Sequence, residues 1–376
     1  MSFIRRQRYL VDYILSSMLR RKGKNFGLML VYSLIVFMLA SVMLFTHALK
    51  QEMGLLLQAS PEIILQRMVA GRHDFIPETY LEKMGRIRGV TERKGRLWGY
   101  LYDPSVKANY TLMVAEDQAL DATEVIIGSA IARARGIVPG DYITFRSFDG
   151  ESYSFQIKSL LDHETEIVSA DLVLLNRKAY RALFGVGEGV YTDIVLSVSN
   201  AREVPKIAEK LVQRLPDTRP ILKQEVLRTY DAIFSWRQGI LFVLLAGAIM
   251  AFVIFAWDKA SGLSAEEKRE IGILKSIGWE TSDVLHMKFW EGAVVSLLSF
   301  FIGYLFAYLH VFYASASLFE PVLKGWAVLY PQFQLIPSVD GLQVATLFFF
   351  TVFPYVVATI IPIWQVAITD PDAVMR

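Results

Sequence analysis

The distribution of apolar residues divides the chain into membrane-spanning and water-soluble parts. Four long runs carry few charges and are rich in Leu, Val, Ile, Met and Phe, at 26–47, 238–257, 287–318 and 342–364. At a rise of about 1.5 Å per residue, twenty residues cover the roughly 30 Å hydrocarbon layer of a bilayer. A charged residue at the bilayer centre costs about 2.5–3.5 kcal/mol, so the scarcity of charges predicts four spanning helices.

Basic residues in the flanking segments predict the orientation of these spans. Lys and Arg are concentrated before the first span and between the second and third, whereas the segment between the third and fourth contains only Lys324. By the positive-inside rule, both termini face the cytoplasm of a multi-pass protein of the cytoplasmic (inner) membrane. A cleavable signal peptide is the competing interpretation of the first run. That run is too long for a typical h-region, however, and no A-x-A-like site closes it.

The predicted fold class is therefore a membrane protein with four transmembrane helices and a large α+β extracytoplasmic domain inserted between helices 1 and 2. The basic tail at the N-terminus has an apolar helical stripe, so it could lie on the anionic lipids of the inner leaflet. The predicted segments are 1–25, a cytoplasmic amphipathic basic helix; 26–47, the first span with its stalk; 48–237, the extracytoplasmic domain; 238–257, the second span; 258–286, a cytoplasmic coupling helix; 287–318, the third span; 319–341, a short extracytoplasmic loop; 342–364, the fourth span; and 365–376, a cytoplasmic tail.

Short alternating runs within the insert predict strands, and the stretches between them predict helices. Asp149-Gly150 fits a hairpin turn between two of the strands. Helix is also expected to continue outward from the first span over 45–57 and to lead into the second span over 224–237. The predicted strands are 110–114, 142–145, 153–157, 172–175 and 194–198, and the predicted helices are 77–88, 129–135, 177–183 and 201–215.

Candidate chemistry in the chain is sparse. Cysteine is absent, which excludes disulfides, thiol catalysis and cysteine-ligated metals. The five histidines lack metal-ligand spacing. The nearest cluster is His163 with Asp162, Glu164 and Glu166, for which a solvated loop is the favoured interpretation. No hydrolase or phosphate-loop motif occurs, and a net charge of +2 provides no basic face for nucleic acid. We therefore expect a non-enzymatic chain without a metal or cofactor of its own.

The segment between the second and third spans carries the clearest local helix signal. Ser264 and Glu267 have the spacing of a capping box, and Gly278 is placed to end the helix in a left-handed conformation. Between them, Ile271, Leu274 and Ile277 repeat every three residues and predict an apolar stripe. A new helix is expected to begin near residue 281. The pattern alone leaves two roles open: packing against the ends of the protein's own spans, or docking of a cytosolic partner.

Several motifs together resemble the FtsX/MacB-type permeases of ABC transporters, also called type VII transporters or mechanotransmitters. The most specific is KREIGILKSIG at 268–278, directly after the second of four spans. The family also has a basic helix before the first span, an outer-domain motif of the type found at 127–141, and a glutamate at the start of the third span, here in WEGA at 290–293. The closing segment 361–376 is similar as well. The family often has Arg where this chain has Glu267.

The resemblance implies a function for the connector helix. In this family a cytosolic ABC ATPase dimer, which binds ATP and Mg, docks on the connector helices of two paired permease chains that are identical or different. The resemblance therefore implies a separate ATPase subunit, and a periplasmic adaptor or substrate-receiving protein as a further partner. The residues of this chain that match the coupling region are Glu266, Glu267, Arg269, Glu270, Gly272, Leu274 and Gly278.

Two functions remain open at the level of sequence. The first is a permease subunit that couples ATP hydrolysis on its partner to work on an extracytoplasmic lipoprotein, lipid, peptide, haem or drug. The alternative is an FtsX-like regulator whose outer domain activates a cell-wall hydrolase. The insert of about 190 residues is larger than such a regulator is expected to need, which favours the first. Intramembrane catalysis is disfavoured because no paired catalytic residues occur in the spans.

Overall fold

The computed structural model forms two compact units, which are described separately. The membrane unit comprises Met1–Ala48, Ser235–Ala316 and Ile336–Arg376, and the outer unit comprises Leu49–Phe234 and Ser317–Leu335. Within helices, the side chains of residues 24, 56–57, 265–270, 359, 361–363 and 365–367 lie outside the description. The residues that the structure describes are 13, 16, 22–58, 60–162, 165–229, 232, 239, 243, 246–247, 250, 253–254, 265–320, 328–332 and 335–367.

The membrane unit is built on long apolar helices. Helix α1 spans Lys22–Gln58 without a break, so the predicted outward continuation of the first span over 45–57 is helical. Three helical segments among the described residues are long and apolar enough to cross a bilayer: Asn25–Leu55, Thr281–Phe312 and Gly341–Ala358. The predicted second span, 238–257, lies largely outside the described residues, so the count of four stays a prediction.

Close helix packing within the membrane unit depends on small and polar side chains. Helix α8, Thr281–Phe312, meets α1 at Gly303, where an added Cβ would lie 2.5 Å from the carbonyl oxygen of Ser33. Nearer the end of α8, the His310 ring lies 3.2 Å from the Ser41 hydroxyl. Without a hydrophobic driving force between helices in lipid, small residues and interhelical hydrogen bonds favour such contacts. Helix α9, Gly341–Ala367, packs on α8.

The outer unit contains two main sheets and a two-stranded ladder. The first sheet is antiparallel, in the order β13-β1-β12-β4 with β2 attached to β1, and the second is mixed, in the order β5-β6-β10-β7-β9-β8. The strands are β1 Ile63–Val69, β2 Arg72–Asp74, β3 Ile76–Pro77, β4 Val90–Arg96, β5 Trp98–Asp103, β6 Ala108–Val114, β7 Glu124–Ile127, β8 Tyr142–Arg146, β9 Ser152–Leu160, β10 Leu172–Leu175, β11 Val190–Tyr191, β12 Asp193–Val198 and β13 Thr218–Leu222.

Short helices cover the sheets of the outer unit. They include α2 Thr79–Lys83, α3 Ser129–Arg135, α4 Glu166–Ser169, α5 Arg177–Phe184 and α6 Val204–Arg214, and residues 223–229 are helical as well. A single hydrophobic core joins both sheets to these helices, with Leu65 and Leu196 from the first sheet, Leu112 from the second and Leu211 from α6 all buried. The predicted α+β class of this domain agrees with the observed elements.

Turn residues fix the strand registers where the sequence predicted them to. Strands β8 and β9 form the expected hairpin, with Ile143 opposite Phe155, and Gly150 in its turn has a φ of +93°. The predicted helix over 77–88 is shorter than expected and ends after Lys83. Its first residue, Pro77, belongs to β3 and pairs with β11 instead, and Gly85 adopts a φ of +60° that ends the turn.

Candidate coupling site

The connector between the second and third predicted spans contains a short helix with a well-defined end. Helix α7 spans Ala265–Ser276. The Gly278 amide donates to the Lys275 carbonyl at 3.1 Å and the Trp279 amide donates to the Leu274 carbonyl at 3.0 Å. These two bonds form a Schellman motif, which requires a left-handed residue at the C′ position just before its last residue, and Gly278 supplies it with a φ of +100°. The predicted helix stop at Gly278 is confirmed.

The next helix starts almost at once, as expected near residue 281. Glu280 is the N-cap of α8, and its carboxylate and that of Asp283 form a reciprocal capping box with the backbone. Trp279, the last residue of the Schellman turn, is therefore followed directly by Glu280, the N-cap of α8. Because the backbone groups at both helix ends are hydrogen-bonded within this short turn, the turn has few alternative conformations. The capping box predicted at Ser264 and Glu267 lies outside the described residues and side chains.

One face of α7 packs on the first turns of α8. Ile271 and Leu274 are buried against Val284 and Met287, and the rings of Tyr13, Trp279 and Trp290 pack around this cluster. The predicted apolar stripe is correct for Ile271 and Leu274 but not for Ile277, which is 68% exposed. The reason is helical geometry: at 3.6 residues per turn, Ile277 lies about 120° around the helix from Ile271 and about 40° from the exposed Ile273, to whose carbonyl its amide donates.

A second apolar pair is exposed on the opposite side of α7. Ile273 is 49% exposed and Ile277 is 68% exposed, four positions apart in the chain. Ile273 was not predicted to be part of an exposed apolar face, although its i, i+4 spacing with Ile277 is a signal for such a face. Each of the two roles left open for the helix therefore has a matching face. The face with Ile271 and Leu274 packs on α8, and the face with Ile273 and Ile277 is exposed.

The predicted coupling residues fall into two groups. Leu274 is buried against α8, Gly272 is also buried, and Gly278 forms the exposed helix stop. These three residues therefore maintain the shape of the connector. The backbone of the other four is helical, and their side chains lie outside the described part of the chain: Glu266, Glu267, Arg269 and Glu270.

A glutamate near the start of the third span has a cationic partner on its own helix. Glu291 lies 2.5 Å from the ammonium group of Lys288, one helical turn earlier, and both side chains are mostly buried. A buried carboxylate without a partner would lose several kcal/mol of hydration free energy, so the lysine accounts for its presence at this depth.

Comparison with known proteins bears on this connector. Residues 238–371 match the family model described as "FtsX-like permease C-terminal", and this match contains α7, the Schellman turn, α8 and α9. The predicted resemblance is confirmed. We call residues 238–371 the FtsX-like region. A search of curated proteins found no match.

Two solved structures are similar to part of the chain at low identity. The periplasmic region of MacB from Actinobacillus actinomycetemcomitans is 10% identical, with a TM-score of 0.32, and the match covers 46% of this chain and 93% of that one. The extracellular domain of the noncanonic ABC-type transporter YknZ from Gram-positive bacteria is 12% identical, with a TM-score of 0.30, and the match covers 43% and 99% respectively.

The outer unit that accompanies the FtsX-like region holds its buried charges in ion pairs. The Asp103 carboxylate is almost completely buried and accepts hydrogen bonds from Tyr110, Ser105 and Arg135. Burial alone would raise the pKa of Asp103, but these donors more than offset it and hold the pKa at about 2. This network ties α3 to strands β5 and β6 and has a structural role.

Glu166 was predicted to lie in a solvated loop, and the structure corrects that prediction. Its carboxylate is fully buried and forms an ion pair with Arg133 of α3. Burial raises the pKa of Glu166, but hydrogen bonds from Arg133, the Gln332 amide and Ser129 outweigh this and lower it below its usual value. Among the described residues no group of three His, Asp or Glu side chains could hold a metal ion, and His163 and Glu164 lie outside that part.

Proposed function

We propose that this chain is the transmembrane subunit of an ABC transporter and that it couples ATP hydrolysis on a separate ATPase dimer to work on an extracytoplasmic substrate. The observation that carries the proposal is the position of α7 within the FtsX-like region: a capped connector helix with one face packed on α8 and the Ile273–Ile277 pair exposed. A partner that covers this pair would move α8 when it moves α7, because the cluster of Ile271, Leu274 and Val284 joins the two helices.

The proposal includes a second permease chain and work done outside the bilayer. Mechanical transmission requires helices that continue from the membrane into the outer unit, and α1 is one uninterrupted helix over Lys22–Gln58. A lipoprotein, lipid, peptide, haem or drug is the substrate class that such an arrangement serves. The partner ATPase binds ATP and Mg, and this chain transmits the resulting movement through its helices.

Co-purification with an ATPase subunit and measurement of its ATP turnover test the proposal. We expect Gly278→Val to abolish the stimulation of turnover by the permease, because Val at a φ of +100° strains the Schellman turn. Glu270→Lys, which reverses a charge on α7, should have the same effect. Gly341→Val is the matched control, since an added Cβ there meets no atom within 4 Å.

Three results would contradict the proposal. The first is the absence of any co-purifying ATPase, and the second is unchanged stimulation in both α7 variants. The third is labelling of the connector from outside the cell. Because the chain has no cysteine, Ser276→Cys creates a unique thiol on α7, and labelling of this thiol by an impermeant maleimide would contradict the proposal. Glu151→Cys in the β8–β9 hairpin is the positive control and should be labelled. Co-purification of a peptidoglycan hydrolase without substrate export would favour the FtsX-like regulator.

A further inference from the structure

The segment between α8 and α9 does not belong wholly to the membrane unit. Its residues Ser317–Leu335 belong to the outer unit, although they are connected in sequence to the ends of two membrane helices. We call them the docked loop. Leu329 of this loop packs against the main hydrophobic core of the outer unit. An extracytoplasmic turn between two spans has no need of such a contact.

Glu166 provides the polar attachment of the docked loop. Its Oε1 atom accepts a hydrogen bond of 2.9 Å from the Gln332 amide and also pairs with the Arg133 guanidinium. The same guanidinium donates to the Tyr330 carbonyl at 3.1 Å. One buried carboxylate and one arginine therefore hold two backbone groups of the loop, which lie 166 or more positions away in the chain.

The buried charge makes this attachment specific. Glu166 has no exposed surface, so its charge is stabilised by hydrogen bonds that point at it. If the loop left, the carboxylate would lose the Gln332 amide, and Arg133 would lose the Tyr330 carbonyl. The docked loop therefore has one preferred position on α3 and α4, because these hydrogen bonds are directional, whereas apolar contacts alone would allow it to slide.

A cavity beside this attachment leaves the loop room to move. It measures about 230 Å³ and is lined by Ala130 and Ala134 of α3 and by Val328 of the loop, among others. This space is partly open to solvent, so the described residues of the docked loop are not enclosed on this side.

We propose that the docked loop is a second mechanical link, which passes displacement of α8 and α9 to the outer unit through Glu166 and Arg133. The link is additional to helix α1 and enters the outer unit at α3 and α4. This inference rests on the proposed function, because a link has a purpose only if the membrane helices are moved. Glu166 and Arg133 are positioning residues in this mechanism.

The first experiment tests the docking itself and needs no partner. Val328 and Val138 are both well exposed, and the chain has no cysteine, so Val328→Cys and Val138→Cys allow two nitroxide labels on the full chain in lipid nanodiscs. We expect a single narrow distance distribution between the labels. Gln332→Pro, which removes the amide donor and leaves Glu166 with Arg133, should broaden it at least twofold.

Two controls separate loss of docking from misfolding. Gln332→Ala keeps the amide and should leave the distribution narrow. A second label pair that leaves out the docked loop, Val138→Cys with Val69→Cys, should give the same distance distribution with and without Gln332→Pro. A broad distribution in the unaltered protein, or equal distributions in Gln332→Pro and Gln332→Ala, would overturn the docking and with it the link.

The second experiment tests transmission in the complex with its ATPase. If an ATPase cycle is completed only when the outer unit moves, Gln332→Pro should lower the permease-stimulated turnover at least threefold relative to Gln332→Ala. Should Gly278→Val abolish stimulation while Gln332→Pro leaves it unchanged, the link is overturned and the proposed function stands. Should neither variant change turnover, the proposed function fails, and the link fails with it.

Discussion

The contact between α1 and α8 allows a stability prediction that depends on one missing side chain. At Gly303 an added Cβ would lie 2.5 Å from the Ser33 carbonyl oxygen, 2.8 Å from the Val36 Cβ and 3.0 Å from the Phe37 amide nitrogen. Ordinary contacts begin near 3.5 Å, so Gly303→Ala requires the two helices to separate by about 1 Å. Two of the three atoms are backbone and cannot be moved by a change of rotamer.

The expected cost follows from two opposing effects. Overpacking of a well-packed contact costs about 1–3 kcal/mol, whereas Ala gains roughly 0.5–1 kcal/mol over Gly in a helix. Gly303→Ala should therefore be destabilising by about 1 kcal/mol or somewhat more. Thermal unfolding of the full chain in nanodiscs, followed by tryptophan fluorescence, measures this as a lowered Tm.

Gly27 offers a matched control on α1. It is also a helical glycine, but an added Cβ there meets no atom within 4 Å. Gly27→Ala should leave the Tm unchanged or raise it slightly through helix propensity alone. If Gly303→Ala is as stable as Gly27→Ala, the close approach of α8 to α1 is absent in the membrane and the packing argument is refuted.

Two further predictions concern the outer unit. Because the pKa of Asp103 is lowered from 3.8 to about 2, its stabilisation is present above pH 3.8 and is lost as the pH falls towards 2. Asp103→Asn should cost about 2 kcal/mol at neutral pH and flatten that acid dependence, as measured by urea unfolding of the full chain between pH 6 and 2. At Gly128 an added Cβ would overlap the carbonyl oxygens of Ser169 and Ala170, so Gly128→Ala should lower the urea midpoint, whereas Gly187→Ala, where space is open, should not. An equal midpoint in the two alanine variants would contradict the packing at Gly128.

Local signals in the sequence predicted the elements that local physics determines. The hairpin of β8 and β9 and the stop of α7 at Gly278 depend on a glycine that must adopt positive φ, and both were predicted at the right residues. The four-residue run of strand β10, Leu172–Leu175, was predicted to the residue because it is apolar throughout and bounded by polar positions. The long apolar helices of the membrane unit are determined by composition in the same way.

Elements that depend on distant partners were not predicted. Strand β4 reads VTERKGR, whose charges conceal a strand that pairs only with β12 at the sheet edge. Strand β13 was not predicted because it contains Pro220, a residue that is unfavourable in strands except at a sheet edge, where β13 lies. The burial of Glu166 could not be anticipated either, since the Gln332 amide that stabilises it lies 166 positions further on. The predicted short loop 319–341 gave no indication that Leu329 joins a core.

The outer unit is discontinuous in sequence, and this affects how it could be exchanged between permeases. A graft of 49–234 alone would leave the core without Leu329 and the Glu166 carboxylate without one of its donors. Recombination that replaces the insert would therefore also have to replace Ser317–Leu335, which lies within the coding region of the membrane helices. A chimera that changes specificity without losing the fold needs four crossovers, one at each end of the two segments, and inheritance of the two segments as a matched pair.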